Sequence, residues 1–232
     1  MLRILSGTDA QRQLEHVRDK VERRDPLWPE QLTMALAVVL SLFLPEALTI
    51  GPTWLLPVAE ALLFAVLLAS TPRQWPERPA RRYVRLGLVS TMSIGNTASL
   101  ILLADYGVSG SKVDGRALLL GGIILWLTST LLFTLWYWEM DRGGPVSRRD
   151  YGPDERPDFV FPQMQMKRWA PEHWRPELID YLYLSIINAV TFGPPEGTVG
   201  ITRIAKVVMG LQSVTALATD TLIVARAVNL LH

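Results

Sequence analysis

Two rows of polar side chains near the end of the sequence carry the residues best suited to chemistry. Lys206, Ser213 and Asp220 recur every seven residues, and so do Gln212, Thr219 and Arg226. At about 100° per residue the rows are neighbours on one helix face, with Val207, Val208, Leu211, Leu217 and Ile223 largely elsewhere. In the segment before them, Ser185, Asn188 and Thr191 also share a side. Glu60 stands in an apolar run three residues after Pro57, whose missing N–H frees a carbonyl in that helix. Ionisable groups in such surroundings are costly unless paired or hydrated, which makes Glu60 and Asp220 candidates for handling a proton or a cation. The bland alternative stays open. Glu60 reads equally as a protonated or hydrogen-bonded glutamate facing a bundle, and the polar rows as hydrogen bonds between helices.

Enzyme constellations are missing from the sequence, and no catalytic residue is expected. There is no Gly-rich phosphate loop, and Gly107-Val108-Ser109-Gly110 is one residue short of a nucleophile elbow. His16, His173 and His232 lie in separate polar segments, so no metal site is expected. The cysteine count of 0 removes disulfides, thiolate metal sites and cysteine nucleophiles. No cofactor is implied.

The elements that must position these residues follow from where the charges are not. The averages of 49% hydrophobic and 19% charged look ordinary. Yet 86–104 and 117–138 hold no charge, and 31–72 carry only Glu46 and Glu60. A bilayer core of ~30 Å takes about 20 apolar helical residues. That pattern excludes a water-soluble enzyme domain, a disordered tail and a nucleic-acid binder. The lipid bilayer is the expected partner. The fold class expected is all-α: a multi-pass transmembrane helical bundle, with a short re-entrant-like half-helix before a long C-terminal helix.

Four portions result. Residues 1–30 form an N-terminal arm, in which Thr8 with Gln11 fits a capping box and Leu14, Val17 and Val21 recur at helical spacing. Its acidic residues Asp9, Glu15, Asp19 and Glu22 do not suit a signal peptide. Residues 31–138 form a four-helix transmembrane portion. Its first two arms, of about 19 residues each, meet at the Gly51-Pro52 turn. Ser90, Ser93 and Thr97 with Gly87 and Gly95 make a small-polar packing stripe on the third span. Trp136-Tyr137-Trp138 closes the fourth and reads as a membrane-interface anchor. Residues 139–177 form a loop with six prolines and several aromatic residues, expected to lie on the membrane face. Residues 178–232 comprise a short apolar segment, stopped by Gly193-Pro194-Pro195-Glu196-Gly197, and then one long helix.

Positive charge orients the bundle. The N-terminal arm carries six basic residues and 71–85 carries five, against none in the Gly51-Pro52 turn and two, Lys112 and Arg116, in the third connection. The arginine and lysine bias places the N-terminus, 71–85 and 139–177 in the cytoplasm, in a cell-membrane protein.

From about Leu135 onward the chain resembles a family of uncharacterised bacterial multi-pass membrane proteins. The matching pieces are Trp136-Tyr137-Trp138-Glu139-Met140-Asp141-Arg142-Gly143-Gly144-Pro145, Asp158-Phe159-Val160-Phe161-Pro162-Gln163, Ile179-Asp180-Tyr181-Leu182-Tyr183 and Val224-Ala225-Arg226-Ala227-Val228-Asn229. They cover roughly 95 residues. The resemblance implies a domain of unknown function and supports the membrane assignment.

The same region also looks like the pore half of a two-helix potassium channel. Asp180 to Ser185 resembles the half-helix, Thr191-Phe192-Gly193 the start of the filter, and Arg203 to Leu231 the inner helix. It departs from that pattern at Pro194-Pro195, because proline cannot take the positive-φ conformations of a potassium filter. The resemblance implies a channel-like or transport-related protein working as a homo-oligomer, non-selective among monovalent cations. Asn188, Thr191, Phe192, Gly193, Asp220 and Glu60 are its ion-pathway candidates, and Thr191, Gly193 and Asp220 are expected to share one hydrated or inter-subunit space. The competing reading is a non-transporting structural or accessory membrane subunit. Residues 178–195 either re-enter from the cytoplasmic side or cross fully, and a ~15-residue helix reaching only about 22 Å favours re-entry.

Overall fold

The computed structural model describes residues 28–52, 54–69, 79–109, 113–145, 147–150, 156–166, 168–171 and 174–230. Most of the N-terminal arm and most of the 71–85 connection therefore lie outside the described residues. The chain is built of helices, with one pair of two-residue strands among the described residues. In order these are α1 (Trp28–Leu42), a short 3-10 turn (Glu46–Leu48), α2 (Leu55–Ala69), α3 (Pro79–Val108) and α4 (Gly115–Met140). A 3-10 turn (Asp141–Gly143), α5 (Ser147–Asp150), β1 (Phe159–Val160), α6 (Pro162–Gln165), α7 (Leu178–Thr191), β2 (Val199–Gly200) and α8 (Arg203–Asn229) follow. All-α is the class.

Three helices among the described residues are long and apolar enough to cross a membrane, at Arg82–Gly107, Gly115–Gly143 and Arg203–Asn229. The first two arms are shorter than expected, with 15 helical residues each. Pro45 explains the early stop of α1, since proline cannot continue a helix and pushes the residue before it toward extended backbone. Only the 3-10 turn Glu46–Leu48 follows before Gly51, at φ 79°, reverses the chain.

α4 is the axis of the molecule, packing against α1, α3, α7 and α8. One core joins Met34, Leu67, Leu88, Met92, Leu132 and Leu135 from α1 to α4. A second joins Tyr137, Trp138, Phe159, Phe161, Tyr181 and Met209, where α4, the loop, α7 and α8 meet. The third, of Leu48, Leu103, Leu118 and Leu125, lies toward the Gly115 end. Close approach there needs small residues on α4. A methyl group at Gly121 would run into Leu48 Cδ1, and one at Gly122 would lie 2.8 Å from Ile223 Cγ1. Outward faces are apolar, with Leu36, Ile94, Ile101, Leu120, Val207 and Val214 all exposed. Patches of that kind suit lipid or a second subunit rather than water.

The small-polar stripe on α3 is offset by one row from its expected place. Thr97 and Gly87 are exposed, while Met92, Asn96, Ser99 and Leu103 face inward. Ser93 bonds across to α4, accepting from Trp136 Nε1 at 2.9 Å.

Candidate functional site

Two polar assemblies sit where α7 docks on α4 and α8. The first lies inside the bundle. The Tyr137 hydroxyl donates to Gln212 Oε1, and Asn188 Nδ2 donates to the same oxygen at 3.0 Å and to Met209 O at 3.0 Å. Gln212 Nε2 donates to Ser185 O at 2.9 Å, and the Ser185 hydroxyl donates to Thr130 O at 2.7 Å. Ser185, Asn188, Gln212 and Tyr137 are all buried. Every polar group in this chain of bonds finds a partner, as buried amides must.

The second assembly is charged and lies at the Met140 end. Arg85 Nε lies 2.7 Å from Glu139 Oε1 and 3.3 Å from Glu30 Oε1, which ties α1, α3 and α4 together. Glu30 Oε2 also accepts from Trp138 Nε1 at 3.2 Å. One turn further, the Asp141 carboxylate accepts from the Tyr181 hydroxyl and from Asp158 N at 2.9 Å. Asp158 in turn accepts from Arg142 N at 2.8 Å and from the Thr202 hydroxyl at 2.6 Å. Thr202 is the N-cap of α8, its oxygen accepting from Ala205 N at 3.2 Å. Arg148 completes the assembly. Its Nη1 donates to Trp138 O at 2.7 Å, and its guanidinium lies 4.1 Å from the Trp138 ring centroid and 5.3 Å from that of Tyr181. Gly144, at φ 98° and ψ 174°, lets the chain turn beside Glu139, in a region open essentially to glycine alone.

These bonds set the path of α7. A reciprocal capping box of Glu177 and Asp180 starts the helix, with Glu177 N donating to Asp180 Oδ2 at 2.7 Å. Phe192, at φ 57°, ends it in the left-handed conformation. The chain then returns to pair Phe159 with Gly200 and Val160 with Val199 in an antiparallel strand pair, and Ile201 N donates to Asp158 O at 2.8 Å. Both ends of the 178–200 segment are thus held at the Met140 end of α4. From there α8 runs antiparallel to α4, reaching Gly122 with Ile223 and Gly115 with Leu230.

The candidate residues fall in different places. Asn188 is in the interior network, bonded within the chain. Thr191 and Phe192 are exposed at the tip of α7, and a methyl on Gly193 would meet nothing within 4 Å. Two carbonyls of that turn are already used, Gly193 O by the Thr191 hydroxyl at 2.9 Å and Pro195 O by Thr198 N at 3.0 Å. Asp220 is half-buried on α8, 11 residues beyond Met209, or about 16 Å along the helix. Contacts of α7 on α8 step from Gln212 at Ser185 to Met209 at Asn188, away from Asp220. Of the two polar rows, Gln212 and Thr219 are buried and Arg226 donates to Tyr106 O and Gly107 O, whereas Lys206 is exposed. Glu60 is buried on α2 and accepts from the Ser41 hydroxyl at 2.8 Å.

Trp136-Tyr137-Trp138 does not form an outward belt. Tyr137 and Trp138 are 0% and 2% exposed, and all three polar tips bond inside the protein. The triplet packs the core because its hydrogen-bond partners come from α1, α3 and α8. Glu30, Arg85, Glu139, Asp141, Asp158 and Arg148 were not among the candidate site residues read from the sequence. Glu139 and Asp141 carried one signal, the Glu139-Met140-Asp141-Arg142-Gly143-Gly144 run, where two acids and a base directly follow an apolar span. Comparisons of the chain with family models, curated proteins and solved structures give no match.

Proposed function

We propose that the chain is a multi-pass integral membrane protein of the cell membrane, channel-like or transport-related, with α7 as a re-entrant half-helix. The observation that supports this reading is the return of the chain from Thr191 to β2, on the side from which α7 started. Irregular backbone at membrane depth persists where it is buried in protein or lines a watery cavity. Half-helices of this kind line substrate and ion sites in transporters. In the proposal the Met140 end, with its arginines, is cytoplasmic, as is the N-terminus. Several copies associate through the exposed apolar faces of α7 and α8, placing the open side of Gly193 toward a shared axis that passes monovalent cations non-selectively. Purified protein reconstituted in liposomes should release a K⁺ or Na⁺ gradient, and Asn188→Leu should change the rate. Gradients held for as long as in empty liposomes would remove the transport reading.

A second reading has its own support. Asn188, Gln212, Ser185 and Tyr137 satisfy one another inside one chain, as they would in a non-transporting accessory subunit whose polar groups serve packing. Silent liposomes, together with an oligomer lacking a continuous cavity at Gly193, would decide for it.

A further inference from the structure

Among the described residues Glu60 differs from the other buried carboxylates in having a single hydroxyl as its described polar partner. Glu30 and Glu139 share Arg85, and the Asp141 carboxylate accepts from the Tyr181 hydroxyl and from Asp158 N and Phe159 N. Glu60 is 2% exposed, in a helix whose neighbouring residues are apolar, and its described polar partner is the hydroxyl of Ser41. A lone carboxylate withdrawn from water must either be protonated or keep a counter-ion.

The surroundings of Glu60 offer room for such a counter-ion. It lines a small, partly open space of about 20 Å³ with Ser41, Asn96, Ser99 and Thr128, room for about one water-sized particle. Asn96 Oδ1 and Thr128 Oγ1 are buried there without a hydrogen-bond partner, and their side chains are 8% and 6% exposed. Orphaned buried oxygens are uncommon, and two on one cavity with a carboxylate indicate something to bind. All the donor atoms are oxygens, the ligand type preferred by hard cations. Ser41 Oγ lies 2.8 Å from both Glu60 Oε2 and Val38 O, so its single proton serves the carboxylate when Glu60 is ionised and the carbonyl when Glu60 is protonated. One carboxylate matches one positive charge. Ser99 and Gly95 also form part of the wall of a wider groove of about 340 Å³ beside α2 and α3.

We infer that this cavity is a binding site for a single dehydrated Na⁺, held by Glu60 and by the oxygens of Asn96, Thr128 and Ser41. The inference rests on the membrane reading above, because an unpaired carboxylate is costly only where water is excluded. It does not need transport.

Thermal unfolding of the purified full chain in lipid nanodiscs, in NaCl against choline chloride at equal ionic strength and at pH 8, tests it. Na⁺ that binds the native state should raise Tm in a saturable way, with a smaller rise in KCl. Glu60→Gln should abolish the Na⁺-dependent rise, and Thr128→Val should increase the half-saturating concentration about tenfold, a loss of roughly 1.4 kcal/mol of binding. If Glu60→Gln does not fold, Thr128→Val and Ser41→Ala carry the comparison. Equal Tm values in NaCl and choline chloride would overturn the inference. So would a Tm that follows pH but not Na⁺, the mark of a protonated Glu60 beside an ordered water. A wild-type Na⁺ effect retained unchanged in Glu60→Gln would do the same. Because binding is read rather than flux, silent liposomes with a retained Na⁺ effect would sink the transport proposal alone.

Discussion

Arg85 Nε lies 2.7 Å from Glu139 Oε1 with both side chains almost wholly buried. The same nitrogen reaches Glu30, so one guanidinium holds the Met140 ends of α1, α3 and α4. Removing one member of a buried ion pair costs about 3–5 kcal/mol, because the remaining charge keeps its desolvation cost. Arg85→Met should therefore lower unfolding stability in detergent by about that amount. Arg85→Met combined with Glu139→Leu should recover part of the loss, since the interior tolerates apolar replacement of a whole pair better than half of one. A single variant as stable as wild type would show that the cluster is not structural.

The Asp141 carboxylate joins the loop to α7 by accepting from Tyr181, Asp158 N and Phe159 N. Asp141→Asn places an amide donor among these donors and should cost more than Tyr181→Phe, which removes one charge-assisted bond worth about 1.5–3 kcal/mol. Gly144→Ala should be as damaging for a different reason. It meets a φ of 98° and places a methyl 3.1 Å from Glu139 O, a combination that strain of about 1–3 kcal/mol describes. Chemical unfolding of the three variants gives the order, and a silent Gly144→Ala would contradict the backbone described.

The long apolar runs announced α3 and α4, because a spanning helix is recognised from about twenty uncharged residues, whereas α8 was legible from its seven-residue polar rows. What the charges do was not legible. Arg85 and Glu139 looked like flanks of two spans, yet they meet across the bundle. The aromatic triplet misled for the same reason. Ser93, Gln212 and Glu30, which take its polar tips, lie 43, 75 and 108 positions away in sequence. A tryptophan beside charge at a span end suits a lipid interface or a core equally well until those partners are known. Helical spacing did put Gln212, Thr219 and Arg226 on one side, but could not tell that this row, and not Lys206 with Asp220, turns inward.

Gln212 is the junction of the interior network, with bonds to Tyr137, Asn188 and Ser185. Hydrogen bonds between membrane helices average about 0.6 kcal/mol and reach about 1.7 kcal/mol. Gln212→Leu severs several and strands the Asn188 amide, so a loss of about 1–3 kcal/mol is expected. Tyr137→Phe removes the bond to Gln212 and a long 3.5 Å contact from Asn188 Nδ2, and should cost about 1 kcal/mol or less. Equal losses in the two variants, measured by denaturant titration, would mean that Gln212 is not the shared partner.

Topology gives the sharpest test of α7. Arg82 and Asp114 are exposed near opposite ends of the α3–α4 pair, Glu196 is exposed on the return from α7, and Asn229 is exposed at the end of α8. The strand pair holds Val199 beside Val160, on the loop that leaves the Met140 end. A re-entrant α7 therefore leaves Glu196 on the side of Arg82, and α8 alone carries the chain across to Asn229. If 178–195 crossed fully, Glu196 would share a side with Asp114 instead. Since the chain has no native cysteine, single substitutions Arg82→Cys, Asp114→Cys, Glu196→Cys and Asn229→Cys can be labelled in intact cells and in lysed cells with an impermeant maleimide. With the arginine-rich end cytoplasmic, as proposed from the positive-charge bias, Asp114→Cys and Asn229→Cys should label in intact cells, and Arg82→Cys and Glu196→Cys only after lysis. Labelling of Glu196→Cys in intact cells alongside Asp114→Cys would replace the half-helix with a fifth span, and the argument for a transport site at Gly193 would go with it.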